Sequence, residues 1–169
     1  MDNAAETPLL RPAQPAEAEA LTALVLRSKA HWGYDEAFMA VCRDELTLRP
    51  EQLVPGRTLV AEQDGTALGF GLLAGDAPVG ELAMLFVEPA AIGQGLGGRL
   101  YRGLLELART AGFTRLTIDA DPCAADFYAA HGAVRTGETP SGSIPGRTLP
   151  VFTVTVPQTP DAPISEPAA

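Results

Sequence analysis

The sequence predicts one mixed α/β (α+β) domain, a mostly antiparallel sheet flanked by helices, in the order β-α-α-β-β-β-α-β-α-β-β. Three observations predict it. The turn signal Gln63-Asp64-Gly65 joins two strand-like runs, so consecutive strands meander. A glycine-rich segment leads from a third strand into a long amphipathic helix, and a further strand follows, which makes a single β-α-β crossover. A length of 169 residues supports one core and is too short for two ordinary ones.

The elements follow in order. Residues 1–7 read as a flexible N-terminal tail, 8–156 as the folded domain, and 157–169 as a disordered tail. The second tail carries Pro157, Pro160, Pro163 and Pro167 among small residues that cannot nucleate a core. Leu9 to Arg11 is a short strand. Pro15 opens a helix with Leu21, Leu24 and Val25 on its apolar face. Asp35 caps a second helix carrying Phe38, Val41, Cys42 and Leu46, and Pro50 stops it. Thr58 to Glu62, Thr66 to Leu73 and Val79 to Val87 are strands. A helix from about Gly95 to Ala111 turns Leu96, Leu100, Leu104 and Ala108 to one side. Arg115 to Asp119 is a strand, and Asp121-Pro122 starts a short helix that Gly132 ends. Ala133 to Arg135 and Val151 to Val156 close the sheet.

Composition excludes several functions. A formal net charge of −9 with a single lysine, Lys29, argues against nucleic acid, whose phosphates need cations. The acidic balance reads as solubility, with steering of a cationic amine as the sharper alternative. No run approaches the roughly 18 to 20 apolar residues of a membrane span, and the polar start Met1-Asp2-Asn3 lacks a signal-peptide pattern. The expected location is the cytoplasm. Cys42 and Cys123 read as buried thiols, and with only His31 and His131 beside them no metal site is expected.

The chemistry concentrates in the segment from Val87 to Gly98. Four glycines lie among residues 93–98 where a strand passes into a helix. Glycine lets backbone approach a ligand, and the unpaired amides of a helix N-terminus favour an anion, above all a pyrophosphate. Two occupants fit. Gly93, Gly95 and Gly98 satisfy GxGxxG, with Asp119 placed downstream as a ribose-binding acid, so a nicotinamide dinucleotide is one. Against it, five residues separate Val87 from Gly93, and the chain offers one crossover rather than a series. No Gly-Lys-Ser/Thr follows, so a P-loop is excluded.

The other occupant follows from a resemblance. Ile92-Gly93-Gln94-Gly95-Leu96-Gly97 resembles the Q/R-x-x-G-x-G/A loop of the GNAT superfamily of N-acetyltransferases. Ile92 stands where that family favours Gln or Arg, and Gln94 lies nearby. The stretch Asp121 to Ala133 is similar to the family's N-x-x-A-x-x-F/L-Y-x-x-x-G-F segment, with Asp121 in place of Asn. The resemblance runs from Leu9 to about Val156. It implies acetyl-CoA as co-substrate, with its pyrophosphate on Gly93, Gln94, Gly95, Leu96, Gly97 and Gly98. It also implies that the fourth strand splays from the fifth, so that backbone groups of Leu85, Phe86 and Val87 pair with the pantetheine arm and polarise the thioester. Tyr128 matches the tyrosine that protonates the departing thiolate; core packing is its alternative role.

An aliphatic amine is almost wholly protonated at neutral pH, so direct attack needs a base. Glu81 is the leading candidate. It lies fourteen residues before Gly95, the offset of the general-base glutamate in the GNAT histone acetyltransferases. Alternation puts it on one face with Ala83, Leu85 and Val87, opposite Leu82, Met84 and Phe86. Asp119, Asp121, His31 and His131 are alternatives. Trp32 and Tyr34, between the first two helices, and Arg147, in the loop before the last strand, are the candidate acceptor-binding residues. The expected partner is a small-molecule or peptide amine, with a homodimer left open. The alternative from another functional class is an acyl-CoA-binding regulatory module without turnover.

Overall fold

The computed structural model describes residues 6–159. The expected tails, 1–7 and 157–169, lie largely outside the described residues. Seven strands form one sheet: β1 (Leu9–Arg11), β2 (Thr58–Gln63), β3 (Thr66–Ala74), β4 (Val79–Val87), β5 (Arg115–Asp119), β6 (Val134–Pro140) and β7 (Thr148–Thr155). The helices are α1 (Ala18–Ala30), α2 (Glu36–Leu46), α3 (Leu96–Thr110) and α4 (Ala125–Ala130). The sheet order is β1-β2-β3-β4-β5-β7-β6, and among the described residues only β4 and β5 pair in parallel. A run of β-α-β units is therefore missing, and the dinucleotide-binding reading of the glycine loop loses its frame. Among the described residues no helix is long and apolar enough to cross a membrane.

Local sequence explains the helices. The Asp35 carboxylate accepts from the Phe38 amide at 2.8 Å and starts α2 as a side-chain cap. In α3, Leu96, Leu100, Leu104 and Ala108 are all buried, as their spacing predicts. They pack on the sheet face formed by Leu59, Ala61, Leu73 and Leu82, joined by Tyr128 of α4. The opposite face carries Val60, Phe70, Leu72 and Met84 against Leu21 and Val25 of α1 and Cys42 and Leu46 of α2. Val41, expected on that apolar face, is exposed instead.

Two strands exceed their expected lengths. β6 runs on to Pro140 at the sheet's edge, almost wholly exposed, so no burial alternation announced it. β7 begins three residues early, at Thr148, where it pairs with Pro140.

The feature that matters most for function is an irregularity in β4. Leu72 pairs with Met84, whereas Leu73 pairs with Leu82, leaving Ala83 unmatched. Such a bulge reverses the side-chain alternation beyond it. Leu82 joins the α3 face, while Met84 and Phe86 join the α1–α2 face. The expected grouping of Glu81 with Leu85 and Val87 is thus corrected: Glu81, next to Leu82, points to the α1–α2 face, and Leu85 and Val87 point to the α3 face.

Candidate active site

β4 and β5 pair only over Val79–Glu81 and Arg115–Thr117. Beyond Glu81 and Thr117 they part, and a cavity of about 650 Å³ opens between them. Its walls are Leu82 to Val87 on one side and Ile118 to Asp121 on the other. Residues from both faces of the sheet line it: Gly97 and Tyr128 from the α3 side, Lys29 and Glu45 from the α1–α2 side. The cavity therefore passes through the sheet.

One end is built by the glycine loop. Gly95 is the N-cap of α3 at φ 78°, a left-handed conformation that disfavours any side chain. The first helical bond runs from the Arg99 amide to the Gly95 carbonyl at 3.2 Å. The amides of Leu96, Gly97 and Gly98 precede it and have no helical acceptor. A Cβ on Gly98 would sit 2.8 Å from His131 Nε2 and 3.3 Å from Arg102 Nη1, so glycine lets both side chains close on the helix start. Gly93, Gly95, Leu96, Gly97 and Gly98 line the cavity, together with Ile92 and Arg102. Gln94 is exposed and does not line it. Arg102 was not foreseen, although it lies one helical turn past Gly98 and so shares its face.

Tyr128 lines the cavity and is 6% exposed. Its ring packs on Phe127, Tyr101 and Phe152. Burial, and then the neighbouring Tyr101 and Asp121, push its phenol pKa up, so it keeps its proton. Leu85, Phe86 and Val87 line the same stretch. Glu81 stands at the root of the split, outside the lining, and Asp119 lies on the lining itself. Burial, and secondarily Asp119, raise the Glu81 carboxyl above its ordinary 4.5.

At the opposite end Asp121 organises a charged cluster. It accepts from Lys29 Nζ at 2.6 Å, from the Tyr34 hydroxyl at 2.9 and 2.8 Å, and from the Cys123 amide at 2.8 Å. Arg147 Nη2 lies 3.5 Å from the same carboxylate and donates to the Tyr34 hydroxyl at 2.7 Å. Burial opposes ionisation of Asp121, but Lys29, the Cys123 amide and Tyr34 outweigh it and hold the pKa at about 2. A carboxylate so held is a poor proton acceptor. Tyr34 stacks on Phe38 with ring centres 4.1 Å apart. Trp32 is 46% exposed and lines the cavity, so it does not anchor helix packing. His31 meets its edge at 5.6 Å, and His131 ends α4 with Nδ1 2.8 Å from the Phe127 carbonyl. Cys42 is buried as expected, but Cys123 is exposed and lines the cavity. No metal-binding group of side chains occurs among the described residues.

Lys29 had no foreseen role, because its partner Asp121 lies 92 residues away. Ser143 of the loop before β7 donates to Glu45 of α2, which draws that loop, and Arg147 with it, over the cavity.

The family model for the Acetyltransferase (GNAT) family matches residues 24–133, more than half of the chain. The chain belongs to the GNAT acetyltransferase family. Its fold agrees with solved GNAT structures. A GCN5-related N-acetyltransferase from Rhodopseudomonas palustris is 28% identical, with a TM-score of 0.72 over 92% of this chain and 99% of that one. The PaiA N-acetyltransferase of Thermoplasma acidophilum, solved in complex with coenzyme A, shares the fold at a TM-score of 0.72 and 17% identity, over 89% of this chain and 99% of that one. Among curated relatives, a probable glucosamine 6-phosphate N-acetyltransferase of Oryza sativa subsp. japonica is 38% identical over 65 residues, 38% of this chain. An IAA acetyltransferase of Azospirillum brasilense is likewise 38% identical over 65 residues, 37% of this chain. These matches span 39% and 42% of the two relatives. The cavity is bounded by the start of α3 and by residues of α1, α2 and the β6–β7 loop.

Proposed function

We propose that this chain moves the acetyl group of acetyl-CoA to a primary amine of a small molecule or peptide by direct attack. The observation that carries the reading is the through-sheet cavity at the β4–β5 split, lined by a helix N-terminus and by a buried phenol. The amides of Leu96, Gly97 and Gly98 suit the pyrophosphate, since they lack helical acceptors and the helix dipole favours an anion there. Arg102 adds a cation beside them. Gln94, exposed as it is, contributes through its backbone alone. The exposed edge of β4 from Leu85 to Val87 suits the pantetheine arm, which would extend the sheet as an added strand. One of these amides is placed to hold the oxyanion, a donation worth about 100- to 1000-fold in rate.

The amine would enter from the α1–α2 side, past Trp32, Tyr34 and Arg147. Its nitrogen attacks the thioester carbon, a C–N bond forms, and the C–S bond then breaks. Glu81, on that same face because of the bulge, takes the amine's proton, with Asp119 of the cavity wall as its neighbour. Its raised pKa brings it closer to the working range of a general base. Tyr128, kept neutral by burial, gives its proton to the thiolate and recovers one from solvent.

The test follows free thiol release from acetyl-CoA across a broad amine panel, with mass spectrometry of the acceptor. Stoichiometric thiol and N-acetylated amine support the reading. Acetyl-CoA binding without release from any amine would favour a regulatory acyl-CoA-binding module, which Ile92, at the position where the family favours Gln or Arg, also motivates.

A further inference from the structure

We propose that the acceptor amine carries a carboxylate, and that Lys29 and Arg147 hold it. The inference rests on the acetyltransferase reading and narrows its substrate class. Three observations on the cluster at Asp121 lead to it.

The first is an excess of positive charge in a desolvated place. The side chains of Lys29, Arg147 and Asp121 are 12%, 19% and 14% exposed, and two cations share one carboxylate. An unmatched charge held away from water is costly unless a partner completes it. Of the other carboxylates on the cavity wall, Glu45 accepts from the Ser143 hydroxyl and Asp119 lies beside Glu81, and among the described residues neither forms an ion pair with Lys29 or Arg147. The surplus at Asp121 is one unit, which matches a carboxylate better than a doubly charged phosphate.

The second is unused hydrogen-bonding capacity. Among the described residues Lys29 donates to Asp121 alone and Arg147 to the Tyr34 hydroxyl alone. An ammonium has three N–H donors and a guanidinium five, in a fork that fits a carboxylate. Both residues line the cavity, so the spare donors have it as their available acceptor space.

The third is preorganisation. Arg147 Cζ lies 4.9 Å from the Phe38 ring centre and 5.2 Å from that of Tyr34, while Lys29 Nζ lies 5.2 Å from Tyr34. The stacked rings and Asp121 hold both cations in place before a ligand arrives, which lowers the ordering cost of binding. Asp121 is also close enough to Tyr128 to act on its phenol. Lys29, Arg147, Asp121 and Tyr128 line the same cavity, so the anion site and the phenol of the proposed reaction share it.

The experiment compares the common amino acids with their carboxamides, which keep the amine and lose the charge. With acetyl-CoA saturating, kcat/KM from thiol release should be at least about tenfold higher for the acids, the worth of one charge-assisted hydrogen bond. Arg147→Gln should shrink that ratio. Equal turnover of acids and carboxamides overturns the carboxylate and leaves acetyl transfer standing, and so does a preference for aminoalkyl phosphates. A second measurement needs no turnover: N-acetylglycine and its carboxamide are titrated calorimetrically into the CoA-saturated protein. Binding that requires the carboxylate and weakens in Arg147→Gln supports the site even if thiol release fails everywhere, in which case only the activity reading falls. Indifference to the carboxylate in either measurement overturns the inference.

Discussion

Glu81 lies opposite Thr117 on the last rung that joins β4 to β5. Beyond that rung the strands diverge and the cavity begins. The placement puts a carboxyl at the root of the split, and the bulge at Ala83 turns it to the α1–α2 face.

Replacing Glu81 by Gln tests that placement. As base, the carboxylate form is the active one, so kcat/KM should rise with pH through a pKa above the ordinary glutamate value, and Glu81→Gln should remove that limb. A loss of about 100-fold or more is expected. Stability should move the other way. A raised carboxyl pKa means that the folded protein binds the proton more tightly, so its stability falls as pH rises from 4.5 through the raised value. The neutral amide escapes this cost, and the melting temperature at neutral pH should hold or rise. A pH–rate profile unchanged in the variant removes the base role.

Tyr128→Phe keeps the buried ring and deletes only the hydroxyl. Turnover should fall by about 100-fold, the lower end of general acid catalysis, because a thiolate leaves fairly well unprotonated. The melting temperature and acetyl-CoA affinity should barely change. Parent turnover in the variant eliminates the acid role, and a large loss of stability assigns the hydroxyl to the core.

Tyr101, on α3, presents the contrasting case. It is 1% exposed, and its hydroxyl has no hydrogen-bond partner among the described residues. Tyr101→Phe removes an unsatisfied buried group, whose burial costs about 1 to 3 kcal/mol. Chemical denaturation should show equal or greater stability for the variant. A clear loss would mean that the hydroxyl has a partner in solution, such as bound water.

Asp121→Ala should strip the shared partner from Lys29 and Arg147. Removing one member of a buried charge cluster costs about 3 to 5 kcal/mol. In the parent protein the Asp121 pKa is lowered from 3.8 to about 2. Its stabilisation is therefore fully present above 3.8 and is lost as pH falls towards 2. Denaturation curves across that acid window should show the parent losing the part of this increment that the lowered pKa carries, and the variant showing no such loss. Coincident stabilities at neutral pH would contradict the account of the cluster.

Much of this was legible in the sequence, for identifiable reasons. The apolar period of α3, the Asp35 cap and the Gln63–Gly65 turn are local signals, and each element stands where it was expected. The glycine loop was legible because left-handed and close-approach positions constrain residue type directly. The bulge at Ala83 was not, since β4 reads as regular alternation and only its pairing with β3 reveals the extra residue. Nor was the Lys29–Asp121–Arg147 cluster, whose members come from α1, the end of β5 and the β6–β7 loop. β6 escaped because an exposed edge strand carries no hydrophobic period.

The central claim is that coenzyme A occupies the β4–β5 split with its pyrophosphate on the start of α3. Calorimetric titration of CoA into the parent protein and Gly95→Asp tests it most directly. The substitution puts a negative charge and a side chain at a cap held at φ 78°, so affinity should fall by at least about tenfold, one lost charge-assisted contact. Circular dichroism confirms that the variant is folded. Equal CoA affinity in the two proteins would contradict the site.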